Sequence, residues 1–174
     1  AEEMLESGVD IFDIGGESTR PGAKEVTAKE EMDRVIPIIE AIRPLKKPIS
    51  IDTSKPEVME AAILAGATMI NDVRALQEEG ALEMASKLQV PVCLMHMQGQ
   101  PRTMQQNPTY DDVVKDVSAF LEHRVQACVD AGIDESRILL DPGYGFGKTL
   151  EHNYALVKYL PNIMDLGYPV LVGM

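Results

Sequence analysis

Apolar and polar positions alternate along this chain in one recurring order: a short apolar run, a polar residue, then an amphipathic stretch. The apolar runs are rich in Ile, Val, Leu and Met and do not alternate strictly, which is the pattern of strands covered on both faces. They predict strands over roughly 9–14, 48–52, 67–72, 90–95, 137–141 and 168–173. Helical spacing predicts helices over roughly 28–43, 56–65, 80–88, 111–131 and 150–165. The clearest is the fourth, where Val113, Val117, Phe120, Leu121, Val125 and Cys128 share one face. Thr27-Ala28-Lys29-Glu30 and Ser54-Lys55-Pro56-Glu57 both fit a capping box, and Ser54 is expected to cap the second helix. Gly8, Gly66 and Gly132 each follow an apolar helix end, where a C-terminal cap belongs.

Strands that alternate with helices imply a parallel sheet with right-handed crossovers. An open doubly wound sheet binds ligands at its switch point, whereas a (β/α)8 barrel uses the loops after all its strands. Here Asp13, Asp52, Asn71, His96 and Asp141 stand at the ends of five successive runs. That repetition favours the barrel. A complete barrel takes about 250 residues, so a chain of 174 is expected to supply about six of the eight strands. The expected organisation is one domain over 1–174, truncated at both ends: the chain opens within a helix-like segment and closes on a strand-like one.

Composition narrows the function classes. At 45% hydrophobic and 25% charged residues, the chain is of ordinary globular type. Its net charge of −12 argues against nonspecific nucleic-acid binding. No apolar stretch has the length of a membrane span. Cys93 and Cys128 form no disulfide framework and are expected to be buried thiols in a reducing cytoplasm.

Five segments carry candidate chemistry. In Gly15-Gly16-Glu17-Ser18-Thr19-Arg20-Pro21-Gly22 the glycines permit close backbone approach, and Arg20 can clamp a phosphate or carboxylate; a plain Pro-Gly turn fits as well. In Ile51-Asp52-Thr53-Ser54 the cap role of Ser54 leaves Asp52 free to face the rim. Asn71 of Asn71-Asp72 offers a donor and an acceptor to a heterocycle edge, or makes a turn. In Cys93 through Gly99, Cys93 and His96 lack the second ligand pair of a zinc site, and Met95 is either core or a soft surface for a flat ring. In Asp141-Pro142-Gly143-Tyr144-Gly145-Phe146-Gly147-Lys148-Thr149 a P-loop would need Gly where Pro142 stands. A dinucleotide fingerprint would need Gly where Lys148 stands. What remains is a glycine loop with two aromatics that could cover an aromatic substrate. No nucleophile elbow is present.

In order and spacing these five segments resemble the dihydropteroate synthase family across essentially the whole chain. The resemblance implies a (β/α)8 barrel that joins 6-hydroxymethyl-7,8-dihydropterin diphosphate to 4-aminobenzoate, with Mg²⁺ assisting release of diphosphate. It implies that Asp52, Asn71 and Asp141 hold the pterin edge, with Met95 near the ring and the backbone at Gly145 beside it. Thr19, Arg20 and Pro21 would lie on a loop that closes over the diphosphate and aminobenzoate, and Phe146 would flank the aminobenzoate. Arg20, Asp52 and Asp141 are the expected catalytic groups, with Asp13 and His96 as supports. The Mg²⁺-ligating loop and the family's later anion-binding segments fall outside these residues, so the isolated piece is expected to be inactive and no metal ligand is assigned within it. Tyr144 stands where Phe is common. A cytoplasmic homodimer acting on small molecules is expected, and the resemblance implies a family that sulfonamide mimics of aminobenzoate target. The alternatives are a pterin-binding methyltetrahydrofolate methyltransferase domain, which would not need the Gly-Glu-Ser-Thr-Arg-Pro-Gly loop, and a non-catalytic pterin-binding fragment.

Overall fold

The computed structural model describes residues 1–20, 22–100 and 103–173. Among these residues five strands alternate with helices. They are β1 (Phe12–Gly15), β2 (Ile49–Asp52), β3 (Met69–Asp72), β4 (Val92–Met95) and β5 (Ile138–Asp141). The helices are α1 (Glu2–Glu6), α2 (Ala28–Ile42), α3 (Pro56–Ala65), α4 (Ala81–Leu88), α5 (Val113–Asp130), α6 (Leu150–Lys158) and α7 (Leu160–Met164). All strand pairs are parallel, and the order is β1-β2-β3-β4-β5. A doubly wound sheet reverses its strand order at a switch point. This sheet does not reverse, so each crossover advances in the same sense, as around a barrel wall.

The register divides every strand by parity. Ile14, Ile51, Ile70, Val92 and Ile138 align across the sheet. With Phe12, Ile49, Leu94 and Leu140 they pack against Val35, Ile39, Val58, Val117 and Leu121 of the helices in one core. On the opposite face Gly15, Asp52, Asn71, Cys93 and Leu139 align in one row, with Met95 and Asp141 paired one layer further along. The apolar face is thus sealed under helices, and the inner face carries the polar strand ends.

Three expectations change. The sixth strand is reduced to a single bridge between Leu140 and Val170. The Leu140 N–H donates to the Pro169 carbonyl and the Leu171 N–H to the Leu140 carbonyl, but Pro169 has no N–H with which to extend the ladder. The helix expected over 150–165 breaks into α6 and α7 at Tyr159, with Pro161 in the first turn of α7. Proline cannot donate back to residue 157, so one continuous helix is impossible there. Ser54 does not cap α3. The N-cap is Lys55, without a side-chain cap bond, and the Ser54 hydroxyl bonds to the Asp72 carboxylate instead. At the start of α2 the capping box of Thr27 and Glu30 does form.

Candidate active site

Local bonding decides which polar residue of each loop faces inward. Asp72 takes the turn-forming role at the end of β3. Its carboxylate accepts from Ser54 and from the backbone N–H groups of Arg74 and Leu76, both at 2.8 Å. Asn71 is therefore free to point to the inner face, where its amide donates to Asp13 at 3.5 Å. The loop after β3 passes through left-handed conformations at Ala75 and Leu76. Arg124 of α5 anchors it, donating to the Ala75 and Leu76 carbonyls at 2.8 and 3.1 Å.

Asp52 sits beside Asn71 in the register. Burial pushes its pKa up to about 7, reinforced by the charges of Asp13, Asp72, Glu31 and Glu17. Asp141 is also buried, and burial raises its pKa to about 6, against the opposing hydrogen bond from the Gly143 N–H and the charge of Lys148. Both carboxyls are thus poised close to neutrality. Each can accept N–H groups from a polar heterocycle edge when ionised, or donate when protonated.

A cavity of about 280 Å³ opens above Asp52, lined also by Thr19, Arg20, Ser54, Arg74 and Gln100. The loop after β1 therefore meets the end of β2 here, and its Arg20 joins Arg74 of the loop after β3 at a rim otherwise rich in carboxylates. Asn71, Met95 and Asp141 lie on the inner face of the sheet and not in the wall of this cavity. Pro21, the third loop residue expected at the site, lies outside the described residues.

The glycine loop after β5 is held by a buried lysine. Lys148 Nζ lies 2.7 Å from the Gly143 carbonyl, 2.9 Å from that of Phe146, 3.2 Å from that of His96 and 2.9 Å from His96 Nδ1. When Lys148 is charged its ammonium only donates, so Nδ1 accepts and Nε2 carries the imidazole proton. Burial first, and then the Lys148 charge, push the His96 pKa down to about 3, so the ring is neutral at physiological pH. Burial also lowers Lys148 to about 7, with Asp141 opposing. The loop tip at Gly145 and Phe146 stays accessible. It is braced by the Asn153 side chain, 2.9 Å from the Gly145 N–H, and by the side chain of Gln105 on the Gly145 carbonyl.

Gly143 has a positive φ of 67°, and a Cβ there would run into the His96 carbonyl oxygen. Gly143→Ala is expected to cost about 3 kcal/mol, because the strained backbone and the backbone collision add. Chemical denaturation at pH 7 checks this, and a change below 1 kcal/mol would contradict the assignment of this turn.

Neither the pairing of Lys55 with Glu17 and Glu31 under the first loop nor the Lys148 socket was foreseen in the sequence. The former had a signal. Glu31 falls on the same helical stripe as Val35, Ile39 and Ile42, and a carboxylate on an apolar stripe requires a buried partner. Lys148 gave no comparable sign, since one lysine after a glycine run also reads as a solvated loop end.

The whole chain, residues 1–174, matches the family model of the pterin binding enzymes. This chain belongs to the pterin-binding enzyme family. It is 55% identical over 174 residues to the dihydropteroate synthase of Haemophilus influenzae, covering 99% of this chain and 63% of that relative. In structure it is similar to Yersinia pestis dihydropteroate synthase in a sulfonamide drug complex, with a TM-score of 0.97, 52% identity, and coverage of 99% of this chain and 63% of that one. It is also similar to the Xanthomonas albilineans dihydropteroate synthase with 4-aminobenzoic acid, with a TM-score of 0.94, 52% identity, and coverage of 99% and 62%. The chain thus spans less than two thirds of the relatives it matches, and the sheet is an arc of their TIM barrel. The pterin-binding assignment agrees with an inner face that offers carboxyl and amide groups, while the Cys93 thiol beside them is fully buried.

Proposed function

We propose that the protein containing this chain is a dihydropteroate synthase: it condenses 6-hydroxymethyl-7,8-dihydropterin diphosphate with 4-aminobenzoate to give 7,8-dihydropteroate and diphosphate. The observation that carries this reading is the pairing of Asp52 and Asn71 on the inner face beside a cavity that Thr19 and Arg20 also line. A pterin presents adjacent donors and acceptors along one edge, and Asp52, Asn71 and Asp141 supply the complementary set. Met95 is buried on the same face and supplies a polarizable surface for the ring. Arg20 stabilises charge on the departing diphosphate, while the anionic Asp52 and Asp141 stabilise positive charge that develops on the pterin as that bond breaks. The neutral aromatic amine then attacks, with Phe146 and Gly145 of the braced loop flanking it. No nucleophilic side chain is required.

The methyltetrahydrofolate methyltransferase reading needs the same carboxyl and amide floor, but it gives no role to Thr19 and Arg20 over the cavity. Mg²⁺ belongs to the proposal for the whole protein. Among the described residues no group of three or more His, Cys, Asp or Glu is placed to hold a metal ion. Among the described residues no helix is long and apolar enough to cross a membrane. A homodimer in the cytoplasm completes the proposal.

The test is turnover of the two substrates with Mg²⁺ by the complete protein. Dihydropteroate should form, and Asn71→Ala should lower kcat/KM by about 100-fold, as expected for losing a paired hydrogen-bonding group in a closed site. A protein that binds the pterin diphosphate but forms no dihydropteroate would overturn the synthase reading. Unchanged kinetics in Asn71→Ala would overturn the assignment of that residue.

A further inference from the structure

Beneath the first loop lies a cluster for which the proposed chemistry has no use. Lys55, the first residue beyond Ser54, sends its ammonium to two carboxylates. It contacts Glu17, at the start of the loop after β1, and Glu31 of α2 at 2.6 Å. Glu31 is 0% exposed. The other oxygen of Glu17 accepts from the Val26 N–H at 3.2 Å, so one carboxylate binds both ends of the segment 17–26. On the near side Arg34 donates to the Gly16 carbonyl at 2.8 Å. Gly16 allows this approach, because a Cβ there would lie 2.8 Å from Glu31 Cγ and 2.9 Å from Val35 Cγ1. The backbone of Lys55 is fixed in turn, its N–H donating to the Thr53 hydroxyl at 3.2 Å.

We propose that Lys55 is a positioning residue that clamps the neck of the loop carrying Thr19 and Arg20 and holds that loop in register with the Asp52 end of β2. The inference rests on the synthase reading for what the loop does, but not for the clamp itself. Two elements of the rim, from successive βα units, are joined here through one ammonium. The charge count makes the joint sensitive. At the joint itself Lys55 is the cation between the two carboxylates, because Arg34 is turned to the Gly16 carbonyl. Without it, Glu17 and a buried Glu31 face each other unscreened, and the neck is pushed open rather than merely loosened. Glu17 and Glu31 line the cavity and Lys55 lines an adjoining one, but only the loop beyond them brings Thr19 and Arg20 over the first.

The experiment compares the complete wild-type protein with Lys55→Met, Lys55→Arg and Glu17→Gln. Limited trypsin digestion with mass spectrometry follows the cut after Lys24, an exposed lysine within the clamped segment. Lys55→Met should be cut there about tenfold faster, with cuts outside 17–26 unchanged, because an open neck exposes the loop more often. Lys55→Arg should restore most of the protection. In turnover, Lys55→Met should raise the KM for 4-aminobenzoate by about tenfold with kcat changed by less than about threefold, and Lys55→Arg should reverse it. Should Lys55→Met fail to fold, Glu17→Gln keeps the Lys55–Glu31 pair and weakens the clamp without adding repulsion, so it must show a faster cut after Lys24, by about threefold. An unchanged cutting rate after Lys24 in a folded variant, or a defect confined to kcat, overturns the clamp. If wild type forms no dihydropteroate while the digestion result holds, the synthase reading falls and the clamp stands.

Discussion

Lys148→Met is expected to destabilise the protein by about 4 kcal/mol, since methionine fills the volume but strands several buried acceptors at about 1–3 kcal/mol each. The side chain is 3% exposed and sits against three backbone carbonyls and one imidazole nitrogen. Gly143, Phe146 and His96 come from two different strand ends, so this one ammonium joins the loops after β4 and β5. A fall of about 10 °C in the thermal midpoint should accompany the loss. The effect should also be local. Without the neighbouring charge the His96 pKa should rise from about 3, which an NMR titration of the ring reads directly. A stability change below about 1 kcal/mol would show that water replaces the ammonium without penalty, and the socket would then carry little of the fold.

Asp52→Asn should separate stability from recognition. Its folded pKa of about 7 lies above its ordinary value of 3.8. Between those values the folded state binds more protons than the unfolded state, so the contribution of Asp52 to stability falls as pH rises through this window. Below about pH 4 the carboxyl is neutral in both states, and Asn should be nearly equivalent to it. Above about pH 7 the wild-type protein bears the full cost of a buried charge near four other carboxylates, and Asn does not. The variant should therefore be more stable by about 2 kcal/mol at pH 8 and by little at pH 4, a figure discounted from the full shift because the carboxyl is partly accessible. Denaturant titrations at the two pH values test this. Pterin affinity should move in the opposite direction, falling at least about 100-fold, because a charge-assisted acceptor becomes half a donor. Calorimetry showing unchanged pterin affinity would remove Asp52 from the binding set. Equal stability gains at both pH values would mean that the charge is not the cause.

Much of this was legible because parallel strands end where polar residues begin. The runs closing on Asp13, Asp52, Asn71 and Asp141 became strand ends within two or three residues of their expected bounds. The errors share a physical origin. Ser54 has the chemistry of a cap, yet it bonds to Asp72, a partner 18 residues away that spacing does not reveal. The run at 168–173 has strand composition, but its pairing depends on the donors available at Pro169. The candidate residues could be picked out one by one, but not the surface they form. Asp52, Thr19 and Arg20 share one cavity wall, whereas Met95 and Asp141 belong to a neighbouring stretch of the inner face. Which residues share a wall depends on barrel curvature and loop path, and neither is written in local sequence.

The parity of the strands has an evolutionary consequence. Phe12, Ile14, Ile49, Ile51, Ile70, Val92, Leu94, Ile138 and Leu140 face the helices, while Asp13, Asp52, Asn71, Met95 and Asp141 face inward. Under the proposed function, adjacent codons should therefore answer to different selective pressures: one set to conservative apolar packing, the other to what the ligand accepts. A combinatorial library confined to the inward set could explore new ligands while leaving the helix-facing scaffold intact, and recombination between relatives at the intervening helices would exchange whole recognition groups without mixing the two.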